Sequence, residues 1–123
     1  MITRSEILKG QTCPLNLEHN LAILLDRLNI IRGVWGKPMI ITSGYRNPEK
    51  NASIGGAKNS AHLFCQAADI SDPKGDLGEW LLQNQEVLEE VGLWMEAPHK
   101  TNTPHGRWIH LQSRPANNRV FEP

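Results

Sequence analysis

His62 and Asp69 lie seven residues apart in the segment Ser60-Ala61-His62-Leu63-Phe64-Cys65-Gln66-Ala67-Ala68-Asp69. Asp69 falls inside the apolar run Ala67-Ala68-Asp69-Ile70, where an unaccompanied carboxylate would carry a large desolvation cost. It therefore needs a cation or several donors beside it, and a divalent metal is one such cation. His110 poses the same question between Ile109 and Leu111. Two imidazoles and one carboxylate, with a further position open to water, are a ligand set suited to catalytic zinc. The competing reading of these residue types is three ordinary side chains, with each histidine partly buried and Asp69 capping a turn.

The elements that must position them are legible in outline. Thr3 or Ser5 caps a short helical turn through Glu6, Ile7 and Leu8, closed by Gly10. A helix over 15–32 follows, with Leu17, Leu21, Leu24, Leu25, Leu28 and Ile31 forming one apolar stripe and Gly33 as its end. Residues 39–42 read as a buried strand, and Ser43-Gly44-Tyr45-Arg46 turns out of it. Residues 47–63 lack periodicity and read as a long irregular loop, a kind of segment that often carries function.

A strand over 66–71 and a turn at Asp72-Pro73-Lys74-Gly75 come next. Asp76 then caps a helix over 77–90, which buries Trp80, Leu81, Val87, Leu88 and Val91 and ends at Gly92. Residues 93–96 and 107–112 read as strands joined by a Pro- and Thr-bearing loop, and the tail 113–123 reads as irregular. The order predicts an α+β domain, a small antiparallel sheet with helices packed on one side.

Composition narrows the function classes. The 123 residues suit one domain, 1–123, with 39% hydrophobic and 21% charged residues, as in ordinary globular chains. Thirteen basic residues balance thirteen acidic ones, which argues against a nucleic-acid binder working through bulk charge. No apolar run reaches the ~20 residues that span a bilayer, so no membrane insertion is expected. The N-terminus MITRSEILKG has no signal-type apolar core, and two cysteines do not make a disulfide scaffold. A cytoplasmically made, monomeric protein is the expectation.

Three blocks carry a resemblance. Ser60, His62, Ala67 and Asp69 fit the S-x-H-x-x-G-x-A-x-D signature of the zinc D-alanyl-D-alanine carboxypeptidases and related peptidoglycan endopeptidases. Ser43-Gly44-Tyr45-Arg46 is similar to the SGYR segment of that family, and Trp108-Ile109-His110 to its W-x-H strand. The stretch 55–60 is similar to the same approach in many phage-encoded members, and the blocks together span residues 40–112. The resemblance implies a small α+β fold of the hedgehog/DD-peptidase kind around one Zn²⁺, with His62, Asp69 and His110 as ligands. It implies a peptidoglycan stem peptide as substrate, cut at D-Ala-D-Ala or at an L-Ala-D-Glu-type bond. It also implies that Arg46 contacts substrate and supports the developing oxyanion, and that Ser60 donates to ligand or substrate. Action at the cell wall without a signal peptide fits a phage product that works after release or from a virion.

The chain departs from that pattern twice. Cys65 stands where the signature has glycine, and Arg107 stands three residues before His110, where many members carry Glu or Asp. Two groups remain as general base: Glu96 at the end of the preceding strand, and His105, five residues before His110. The missing carboxylate also leaves a rival reading, a zinc-binding, non-catalytic phage structural module of the same fold.

Overall fold

A computed structural model describes residues 1–123. The chain folds as α1 (Arg4–Leu8), α2 (Glu18–Trp35), β1 (Ile41–Ser43), α3 (Pro48–Ser53), β2 (Ala67–Ser71), α4 (Asp76–Gln83), α5 (Gln85–Val91), β3 (Trp94–Glu96), β4 (Asn102–Thr103), β5 (Gly106–Gln112) and β6 (Val120–Phe121). Short 3₁₀ turns at Leu15–Leu17, Ala61–Phe64 and Pro98–Lys100 join them. No helix is long and apolar enough to cross a membrane.

The sheet runs β1-β2-β5-β3-β6, and β4 forms a hairpin with β5. All pairs are antiparallel except β3–β6, where the tail returns parallel to β3. The α+β expectation therefore holds, and the sheet is mixed through its last strand. The pleat sorts the residues of β2 and β5 onto two faces. Ile70 pairs with Ile109 and Ala68 with Leu111, and all four belong to the buried side. There they pack with Met95 against Leu21, Leu24, Leu28 and Ile31 of α2 and with Leu77, Leu81 and Leu88 of α4 and α5. Asp69 pairs with His110 on the opposite face. One residue of slip would exchange the two sets, so burial of the first fixes presentation of the second.

Several local readings are corrected. Helix α2 runs past Gly33 to Trp35 and stops at Gly36, whose φ of +74° ends it in the left-handed region. Gly33 meets nothing within 4 Å on the helix surface and is tolerated there. The 47–63 segment is not wholly irregular: Asn47 caps α3 through the Lys50 N–H, with Pro48 in the first turn. That Asn-Pro start is a helix signal that absent periodicity hid. The expected helix over 77–90 breaks at Asn84, whose side chain donates to the Trp80 carbonyl. The N-cap position is Gly75 rather than Asp76, and the Asp72 carboxylate accepts from the N–H groups of Leu77 and Gly78 in the first turn. In the tail, Val120 and Phe121 are strand residues, drawn in by free backbone groups on the edge of β3. At the N-terminus, Thr3 and Glu6 form the reciprocal capping box of α1.

Candidate metal centre

The three predicted ligands come from two local devices, a strand pair and a turn. Asp69 and His110 are cross-strand partners at the centre of the sheet, and β2–β5 pairing aligns their side chains on one face. His62 arrives from the 3₁₀ turn Ala61–Phe64, which starts at Ser60 when its hydroxyl accepts the His62 N–H. The turn ends at Cys65, at φ +54° in the left-handed region, and the chain then enters β2. This explains the glycine of the signature at that position: the backbone must take a conformation that costs a side-chain-bearing residue roughly 1–2 kcal/mol. Cys65 meets that cost while fully buried, and burial pushes its thiol up to about 12.

The ligand atoms converge. His62 Nε2 lies 3.3 Å and His110 Nδ1 2.9 Å from Asp69 Oδ1. All three donor atoms fall within 4.8 Å of one another. His62 is 3% and Asp69 8% exposed, so the cluster sits at the margin of the core.

The outer hydrogen bonds set which ring nitrogens face inward. His62 Nδ1 donates to the Gly44 carbonyl at 2.7 Å, and His110 Nε2 donates to Gln112 Oε1 at 2.8 Å. With the outward nitrogens protonated, the inward nitrogens face the carboxylate as imidazolium N–H donors, and once deprotonated they offer lone pairs that a metal cation can bridge to Asp69. Zinc bonds of ~2.0–2.2 Å make tetrahedral edges of about 3.3–3.6 Å; the His62–Asp69 separation matches such an edge and the His110–Asp69 separation is about 0.4 Å shorter. Donor chemistry, outward partners and spacing all fit a zinc ion.

Electrostatics agree with the cluster. Burial works against the Asp69 charge, but hydrogen bonds from His110 and His62, with their positive charge, hold its carboxyl well below the ordinary range. Burial likewise opposes a proton on His110, yet the Asp69 hydrogen bond and charge shift that imidazole upward.

Around this trio stand the other predicted residues. Arg46 is threaded into the site by backbone and side chain: its N–H donates to the His62 carbonyl, and its Nε donates to Ser43 Oγ at 3.2 Å. One guanidinium nitrogen lies 3.7 Å from Asp69 Oδ2, and another reaches Asn51 Oδ1 at 3.5 Å. Gly44, just past β1, has a packing reason to be glycine. A Cβ on it would lie 2.3 Å from the Ile7 carbonyl oxygen of α1, so only glycine lets the Gly44 carbonyl sit where it accepts from His62.

Glu96 comes to the same face. Trp94 and Met95 pair with Gln112 and Leu111, so the next step of that register sets Glu96 opposite His110. Ser43, Asp69, His110 and Glu96 thus form one row across β1, β2, β5 and β3. Half-burial raises the Glu96 carboxyl above its ordinary value, and the charges of His110, Asp69 and His62 act on it.

His105 is not brought there. It is exposed in the β4–β5 turn, and its backbone N–H donates to Thr103 Oγ1. Five residues of strand separate it from His110, about 16 Å at ~3.3 Å per residue. Arg107 lies at that far end too, with its guanidinium against Gly75. Gln112 and the Gly44 carbonyl were not expected from the sequence. Gln112 shares the face of His110 at a two-residue strand spacing, a signal that could have found it; a backbone carbonyl leaves none.

A match to the family described as peptidase M15 covers residues 2–112. This chain belongs to the peptidase M15 family. It is also similar to the zinc D-Ala-D-Ala carboxypeptidase of Streptomyces albus G, 31% identical over 62 residues. That alignment spans 50% of this chain and 24% of the relative, so this M15 chain matches about a quarter of that protein's length. The family match takes in Arg46, Ser60, His62, Asp69, Glu96 and His110.

Proposed function

We propose that this chain is a zinc peptidase that hydrolyses peptide bonds in the stem peptides of bacterial peptidoglycan. The observation that carries the reading is the convergence of His62 Nε2, Asp69 Oδ1 and His110 Nδ1, with a half-buried carboxylate on the same row of the sheet. His62, Asp69 and His110 would hold the ion. When bound, zinc polarises a scissile carbonyl and brings the pKa of water from 15.7 toward ~7.

The protein side chains supply the rest. Glu96 takes the proton of the attacking water on a carboxylate oxygen and returns it to the leaving amine nitrogen. Its upward shift moves a carboxylate toward the pH at which such a shuttle works best. His105 is the weaker candidate for that role, because it is exposed and at the other end of β5. Arg46 offers forked donors to the oxygen on which negative charge develops, while its contact with Asp69 holds the fork in place. The Ser60 oxygen accepts from the His62 N–H, and its own hydrogen remains for a substrate carbonyl.

The cut falls at D-Ala-D-Ala or at an L-Ala-D-Glu-type bond, and the name of the Streptomyces relative supports the first. The similarity of residues 55–60 to phage-encoded members supports a phage enzyme that reaches the wall from a virion or after release. One observation favours a second reading: Arg107 replaces the carboxylate that many relatives use, as in a zinc-binding module without turnover. Amine release from purified peptidoglycan separates the two. The peptidase reading expects release with zinc, loss after chelation and recovery on zinc addition. One bound zinc per chain with no release would establish the non-catalytic module instead.

A further inference from the structure

The two histidines of the centre are held differently. The outward nitrogen of His62 donates to a backbone carbonyl, that of Gly44, whereas the outward nitrogen of His110 donates to a side chain, that of Gln112. Gln112 is 8% exposed, and its own orientation is determined from beyond the site. Its Nε2 donates to the Arg114 carbonyl at 2.9 Å, and a carbonyl can only accept, so the amide oxygen must face His110. The Arg114 side chain in turn donates from Nε to Gln66 Oε1 at 3.2 Å and from a terminal nitrogen to the Asn59 carbonyl at 2.6 Å. Those two residues flank the turn that carries His62. The relay thus joins the end of β5 to both sides of the other histidine's loop.

We propose that Gln112 is a positioning residue that fixes the ring tautomer of His110, so that Nδ1 and not Nε2 is the atom offered to the metal. The inference rests on the ligand set proposed above. With the ring reversed in protonation, a lone pair on Nε2 would oppose Gln112 Oε1 and a hydrogen would occupy the space between Nδ1 and Asp69. Both changes oppose metal entry. Gln112 also excludes a flipped ring, because flipping removes the donor that its oxygen faces. His62 needs no such side chain, since the Gly44 carbonyl does the same work from the main chain. The centre therefore uses unlike nitrogens, Nε2 from a turn residue and Nδ1 from a strand residue, each chosen by a carbonyl-type acceptor.

The test compares zinc affinity, by competition with a chelating dye, in the wild type, Gln112→Leu and Gln112→Glu. Loss of such an outer partner weakens metal binding by ~10–100-fold, so the Leu variant should fall in that range. The Glu variant restores an acceptor and should recover most of the affinity. Melting of each variant in chelator checks that the fold survives. A second readout needs no variant: long-range ¹H–¹⁵N correlations of the zinc-loaded wild type should show His110 protonated at Nε2 and His62 at Nδ1. Zinc bound with unchanged affinity by the Leu variant, or with His110 protonated at Nδ1, overturns the inference and leaves the ligand set standing. A wild type whose two imidazoles do not respond to zinc overturns the ligand set and this inference together.

Discussion

At the scale of single residues, Glu96 carries the sharpest consequence. Glu96→Gln is nearly isosteric and should retain zinc while cutting hydrolysis by ~10²–10⁴-fold, the usual loss with a general base. It should also change stability in a way a surface glutamate would not. Burial raises the folded pKa of Glu96, so ionisation opposes folding once pH exceeds the ordinary carboxylate value, and fully so above the raised one. Metal-free Glu96→Gln should therefore melt above metal-free wild type at neutral pH, with the gap closing below about pH 4. Equal melting at pH 7 would deny the burial argument, and full activity would pass the role to another group. Arg46→Lys should keep zinc and fold but lose much of kcat, since a point charge cannot replace a fork that spans Ser43, Asn51 and Asp69. An Arg46→Lys variant with wild-type kcat on wall peptide would remove the guanidinium from the chemistry.

At the scale of elements, backbone conformation explains what side-chain chemistry alone does not. Gly44 has no room for a Cβ against the Ile7 carbonyl of α1, so Gly44→Ala must displace the strand end whose carbonyl holds His62. Weaker zinc binding together with a lower melting temperature is the expected result, and wild-type affinity by dye competition would contradict it. Cys65 tests the turn from the other side. Ala and Gly both remove the sulfur, but only Gly relieves the left-handed strain, so Cys65→Gly should be more stable than Cys65→Ala by about 1 kcal/mol in urea unfolding. A more stable Ala variant would show that cavity size and chain entropy outweigh the turn.

The grouping of His62 with Asp69 and His110 was legible in part because Asp69 and His110 stand in apolar strands and need a partner there; His62 lies in a turn, and the resemblance to the S-x-H-x-x-G-x-A-x-D signature supplied the rest. The strands that hold Asp69 and His110 were readable as short apolar runs around them, Ala67-Ala68-Asp69-Ile70 and Trp108-Ile109-His110-Leu111. Helix α3 was not, because its six residues are too short for a periodic stripe and only the Asn-Pro cap marks it. The break at Asn84 escaped because Val87, Leu88 and Val91 continue the apolar pattern of α4 without interruption. Strand β6 escaped because two residues have no period at all; pairing with β3 creates it.

At the scale of the whole molecule, one sheet separates two tasks. Its inner face carries Ile70, Ile109, Leu111 and Met95 into the core with α2, α4 and α5, and its outer face carries Asp69, His110 and Glu96. The third ligand comes from a turn anchored to β1 through Gly44 and Arg46 and to the end of β5 through Arg114. The centre thus joins β1, the turn with β2, and β5, and a metal ion held there would add to the stability of the fold. The central claim is that this assembly cuts wall peptide with His62, Asp69 and His110 as its zinc ligands. Mass spectrometry of peptidoglycan stem peptides after digestion tests it most directly, with zinc-loaded wild type beside the same protein chelated and beside His62→Ala. The account predicts one defined new product, loss of a terminal D-Ala or a cut within the stem, only with the zinc-loaded wild type. An unchanged muropeptide profile from a wild type holding one zinc per chain, or the same product from His62→Ala, would contradict it.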